Sequence, residues 1–256
     1  MGNVAGSTVR ERREAAILPG YERLGGPVPV VYPPNLRERA AEARDLLEAG
    51  AAALSEILGV GPPGLEALLV ADADWGRTPR ENERSYPPGL PYFTRAATPP
   101  ALVLPETLSP AFRPRTDATG ALVIWHELAH AFLLRKPLPR TPAWLREFLP
   151  QTLSAAAARR AGLPLERHLE EIDRHPDLTV RSFGDRARAE EQMAFQNVLL
   201  SLGTAAVEEF GEEFLRTLAH ALWAERDIVD EKRAEGLLAD SLGPGGREWL
   251  ASRSEF

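Results

Sequence analysis

Between Ala121 and Leu134 the chain reads Ala-Leu-Val-Ile-Trp-His-Glu-Leu-Ala-His-Ala-Phe-Leu-Leu, and its three polar residues, His126, Glu127 and His130, constrain the chain more than any other feature. A run apolar nearly all round predicts a helix buried on most sides. Burying two imidazoles and a carboxylate there without partners costs on the order of several kcal/mol. Residues four apart lie on one helix face, about 40° round from each other. His126 and His130 can therefore turn two nitrogens toward one ion, and zinc suits such a pair. Glu127 projects beside them, placed to take a proton from a water at the metal and pass it on. Two plainer readings stand beside this one: satisfied core histidines, or a chance match in a helical-core protein. Thr116 or Asp117 can cap the start of the helix, and Arg135-Lys136-Pro137 closes it with cations and a breaker.

The 256 residues suffice for a full core, and 44% apolar with 26% charged content is ordinary for a globular protein. A net charge of −7 argues against nucleic acid and against an anionic membrane surface as partners. There is no cysteine, so a metal must be held by His, Asp or Glu. No stretch approaches the ~20 apolar residues of a membrane span. The first residues lack the apolar core of a signal peptide, which makes the cytoplasm the expected location.

Along the chain, residues 8–17 read as a short helix and Val28–Tyr32 as an edge strand, because Pro29 cannot donate to a ladder. A long helix follows through Leu58, with Asn35 as its N-cap. Residues 65–71 form a strand, 72–91 a loop, and 92–94 and 101–104 two short strands. The motif helix occupies 117–135. Helices are expected at 142–161, 165–174, 185–201 and 204–224, and from about 227 to 251 with a break at Gly243-Pro244-Gly245-Gly246.

A catalytic zinc usually has three protein ligands and a water. The next candidate is Glu147 in Trp144-Leu145-Arg146-Glu147, 17 residues after His130 and at the start of a new helix. With these residues the chain resembles the gluzincin peptidases, the thermolysin-like and aminopeptidase-like group. In that group a Trp-Leu-x-Glu-Gly segment supplies a Glu as third ligand. Phe148 stands where the group has Gly, and Leu149-Pro150 where it has a small residue. The segment Val207–Arg216 and the stretch from Ser241 to Leu250 are also similar to the helices of peptidase-MA-like bacterial proteins.

The resemblance implies an α+β, zincin-like fold: a small mixed sheet lobe, the His-Glu-x-x-His helix, then an all-helical C-terminal lobe. It implies a single metallopeptidase-like domain over 1–256, with sublobes at 27–136 and 137–256. One Zn2+ per chain would be held by His126, His130 and Glu147. Glu127 would be general base and then acid in hydrolysis of a peptide or protein substrate. Ala101-Leu102-Val103-Leu104 is the strand expected at the sheet edge to pair with an extended peptide. Members of the group commonly place a Tyr or His in the helical lobe to bind the oxyanion. All four tyrosines here precede the motif, and no Tyr lies in Gln192–Asn197. Among the downstream histidines, His168 and His175 sit among charges, which leaves His220 as the candidate; a core role for it stands beside that one. Gln151, four residues after Glu147, shares its helix face and is a candidate to orient a zinc histidine, with an exposed helix Gln as the alternative. The lack of a downstream Tyr keeps a second functional reading open, a catalytically weak or inactive zinc-binding interaction module of the same fold.

Overall fold

Apolar runs without a polar alternate mark strands buried on both faces, and two such runs form the middle of the sheet. They are β4 (Glu66–Val70) and β7 (Ala101–Pro105), parallel and in register from Glu66 opposite Ala101 to Val70 opposite Pro105. The structure, a computed structural model, describes residues 13–14, 18–81, 88–108, 117–165, 169, 177–182 and 189–256. β3 (Val30–Tyr32) runs parallel to β4 on its other side, β2 (Glu22–Leu24) pairs antiparallel with β3, and β5 (Tyr92–Thr94) pairs antiparallel with β7. The order is β2-β3-β4-β7-β5. A separate parallel pair joins β1 (Arg13–Glu14) to β6 (Ala97–Thr98).

This order corrects three expectations. Ala101, Leu102, Val103 and Leu104 lie in β7, an interior strand flanked by β4 and β5, and the exposed edge nearest the motif helix is β5. Val28–Tyr32 is not an edge either: β2, unanticipated, covers β3. Pro29 sits just before β3 and contributes its carbonyl, which accepts from the Ala67 N–H at 2.8 Å, so its missing donor costs the ladder nothing. Arg13 and Glu14, expected within a helix, are the two residues of β1.

Alternation along the sheet sorts side chains to two faces. Val30, Tyr32, Ala67, Leu69, Leu102 and Leu104 join the main core under the helices. Val31, Leu68, Val70 and Val103 join a smaller core with Trp75 and Tyr92 on the other face. The main core runs without interruption from Val28 to Leu250, through both the sheet and the C-terminal helices.

Helix α1 (Arg37–Leu58) crosses between β3 and β4. It starts from a 3-10 turn over Pro34–Leu36 with no side-chain cap, so Asn35 does not cap it. It ends at Gly59, whose φ of 66° a Cβ-bearing residue rarely adopts. The motif helix is α2 (Asp117–Leu133); Thr116 lies outside the described residues. α3 (Ala143–Arg160) carries Glu147 and tolerates a buried Pro150. α4 (Ala189–Phe210) continues through Gly203, where a break was expected, and α5 (Glu213–Ala224) follows after Gly211 at φ 74°. Gly203 is a contact residue: a Cβ there would lie 2.1 Å from Thr152 Oγ1. α6 (Glu231–Leu242) begins at Asp230, whose carboxylate accepts from the Arg233 N–H at 2.8 Å, and α7 (Gly246–Ala251) follows. Of the helix expected over 165–174, only residues 165 and 169 are described. Among the described residues no helix is long and apolar enough to cross a membrane.

Candidate metal centre

Two indoles orient the helices that carry the polar cluster. Trp125 is 1% exposed; its ring lies against Gly50 of α1 and its Nε1 donates to the Leu46 carbonyl at 2.9 Å. This fixes the rotation of α2 and turns the next residue, His126, to another side. Trp144, equally buried, donates to Glu231 Oε2 at 2.7 Å and packs against Phe148 and Phe256. With Leu145 buried beside it, the first turn of α3 is pinned so that Glu147 faces α2.

Three donor atoms then converge. His126 Nε2 and His130 Nε2 are 3.1 Å apart, and Glu147 Oε2 lies 3.2 Å from the first and 3.5 Å from the second. Among the described residues these three side chains form the one His/Asp/Glu group suited to a metal. For an ion with four tetrahedral ligands at about 2.0–2.1 Å, the donor atoms stand roughly 3.3–3.4 Å apart, so the observed triangle already has nearly the right size. The donor set of two imidazoles and a carboxylate fits zinc.

The electrostatics agree with close pairing. Burial would raise the Glu147 carboxyl, but His130 and His126 outweigh it and hold the group well below the usual carboxylate range. Burial would lower His130, and the Glu147 carboxylate outweighs that and raises it. His126 Nδ1 is buried without a hydrogen-bond partner among the described residues.

Glu127 stands beside the cluster without joining it. Its Oε2 accepts from the Phe93 N–H of β5 at 2.9 Å. Phe93 stays paired opposite Leu102 of β7 while its N–H points to the free side of β5, the sheet edge beside the motif helix.

Other expected site residues fall elsewhere. His220 is exposed; its Nε2 lies 3.3 Å from the Leu58 carbonyl and its ring is tilted against Trp223, so it is neither at the cluster nor in the core. Gln151 is half-buried, and its backbone carbonyl accepts from the Ser154 hydroxyl at 2.8 Å. The amide that meets the cluster is Gln196 of α4, whose Nε2 donates to Glu147 Oε2 at 3.3 Å. Sequence reading passed over it, because a neutral amide 49 residues from its partner leaves no periodic signal. The described tyrosine hydroxyls are engaged away from the cluster: Tyr21 with Asp74, Tyr32 with Glu22 and Tyr92 with Thr78. His168, His175 and Tyr86 lie outside the described residues.

The fold is shared with solved structures. Yeast LTA4 hydrolase in complex with bestatin superposes with a TM-score of 0.55 at 14% sequence identity, over 91% of this chain and 38% of that one. Native leukotriene A4 hydrolase from Saccharomyces cerevisiae gives the same coverage, with TM-scores of 0.55 and 0.56 in two structures, each 14% identical. The chain thus spans well under half the length of these proteins. No family model matches the chain, and no curated protein sequence matches it.

Proposed function

We propose that this chain is a gluzincin-type zinc metallohydrolase acting on peptide bonds, with one Zn2+ held by His126, His130 and Glu147. The observation that carries the reading is the triangle of donor atoms, 3.1, 3.2 and 3.5 Å on its sides, with a carboxylate from the same helix turn next to it. A bound zinc supplies Lewis acidity toward a carbonyl and makes a water a nucleophile near neutral pH. Glu127 takes the proton of the attacking water and delivers it to the leaving nitrogen. The Phe93 N–H holds the Glu127 carboxylate in place through its Oε2. In a strand, the N–H and C=O of one residue point to the same side. The Phe93 carbonyl therefore also lies on the free edge of β5, where it accepts from the backbone of an extended peptide. The likeness to LTA4 hydrolases supports the fold under this chemistry, and the unbroken core supports treating residues 1–256 as one metallopeptidase-like unit.

The second reading is the non-catalytic zinc-binding module. It is favoured by one observation, that none of the described tyrosines or His220 reaches the cluster, and loss of a single oxyanion donor costs about 10²–10³ in turnover. Glu127→Gln decides between the two. It keeps size and removes basicity, so in a peptidase it leaves zinc per chain intact and lowers kcat by about 10²–10⁴-fold. Wild type and variant are compared on one peptide library, with zinc measured on the same samples. A wild type that holds one zinc and captures peptides without cleaving them establishes the module instead.

A further inference from the structure

We infer that Gln196 is the positioning residue of the Glu147 carboxylate and, through it, sets the affinity of the cluster for a divalent ion. The inference rests on the metal-site reading above. Gln196 reaches from α4 to a single atom, Glu147 Oε2, which is also the oxygen facing both histidine nitrogens. The other oxygen, Oε1, has Arg146 Nε at 3.9 Å, beyond hydrogen-bond length, and that side chain is 48% exposed. The terminal torsion of a Glu is broad and roughly two-fold, so without a second anchor the carboxylate pivots and can turn either oxygen toward the histidines. The Gln196 N–H takes up one lone pair of Oε2, and the second lone pair of that oxygen would remain for an ion.

The donor is also of the right kind. A carboxylate oxygen needs a donor opposite it, which fixes the amide with Nε2 toward Glu147. Being neutral, the amide orients the carboxylate without cancelling its charge, whereas a Lys or Arg in its place would compete with a cation. Its other end argues that packing is not its purpose: Gln196 Oε1 is buried with no hydrogen-bond partner among the described residues, which opposes stability. The spacing of the two helices is fixed further along the same seam. Glu147 faces Gln196 and Thr152 faces Gly203, so α3 and α4 run in the same direction, and the absent side chain at 203 lets them approach closely.

The test uses the full chain, stripped of metal and titrated with zinc against a chromophoric chelator, beside thermal unfolding of the metal-free protein. Gln196→Leu removes both the N–H and the orphaned carbonyl. Zinc affinity should fall by about 10–100-fold, while the metal-free melting temperature stays level or rises, an opposition that a merely structural role does not produce. Gln196→Asn retains the amide but shortens it by one methylene, and should lose affinity similarly; it decides the matter if the Leu variant does not fold. In a Glu147→Ala background, Gln196→Leu should change zinc affinity no further, because the amide acts through that carboxylate. Affinity within twofold of wild type for both Gln196 variants overturns the inference and leaves the metal centre standing. A wild type that takes up no zinc overturns both.

Discussion

Gly50→Ala sets two opposed effects against each other. In an ordinary helix interior, Ala is more favourable than Gly by about 1 kcal/mol, and Gly50 lies well inside α1. Here the added Cβ would stand 2.4 Å from Trp125 Nε1, 2.5 Å from Cδ1 and 2.8 Å from Cε2. Ordinary carbon contacts lie near 3.5–4.0 Å, so ring and helix must part by about 1 Å. The indole cannot simply slide, since its N–H is bonded to the Leu46 carbonyl one turn earlier on the same helix. Retreat from Gly50 stretches that bond. Overpacking costs about 1–3 kcal/mol, and an orphaned buried polar group about 1–3 kcal/mol more. The clash therefore exceeds the propensity gain, and a net destabilisation of about 1–5 kcal/mol is expected, roughly 2–10 °C in Tm for a chain of this size. Urea unfolding of the metal-free protein measures it, with an unchanged m-value as the sign that the compactness of the end states is the same. Trp125→Phe should relieve the clash, costing less in the Gly50→Ala background than in wild type. An unfolding midpoint at or above that of wild type would refute the close approach of α1 to Trp125.

Elemental analysis of protein purified without added metal should find one zinc per chain, and Glu147→Ala should weaken zinc binding by more than the about 10–100-fold expected for loss of a supporting hydrogen bond. Tyr21 is pushed up from 10.0 to about 12 by burial; the hydrogen bond from the Ala71 N–H opposes the rise and the Asp74 hydrogen bond adds to it. A raised folded-state value means that its contribution is complete below pH 10 and is lost as the pH climbs toward 12. Tyr21→Phe should cost about 1 kcal/mol at neutral pH, and the gap to wild type should close over that alkaline window; a constant gap in paired urea titrations would count against the assignment.

What could be read in advance follows the range of the physics involved. His126, Glu127 and His130 lie within one helical turn, so their shared face follows from local geometry alone. Glu147 required only that a second helix fold back after a short connection. The strand order needed more. A run such as Ala-Leu-Val-Leu signals burial, and burial on both faces is the mark of an interior strand; the same letters had suggested an edge. β5, the true edge, is legible as a strand over 92–94, but three residues carry no sign of their place in the sheet. Gly203 looked like a helix stop because a glycine's cost in a helix is visible locally, whereas its value here, room for Thr152, appears only when α3 and α4 meet. His220 sits on a helix that is mostly apolar in sequence, yet its own side chain points to solvent and to the end of α1. Gln196 shows the same limit: its role is a contact between helices distant in the chain.

The unbroken core from Val28 to Leu250 bears on how this centre changes over time. In a zinc finger, ligation and folding are a single event, so a lost ligand is a lost protein. Here the proposed ligands lie at positions 126, 130 and 147, and the helices bearing them are already held together by Trp125, Trp144, Leu145 and Phe148. An ion bound there adds stability by mass action to a fold that its own core already holds together. A substitution that empties the centre therefore leaves a folded, durable scaffold. On the proposed reading, catalyst and non-catalytic descendant stand one mutation apart on this fold.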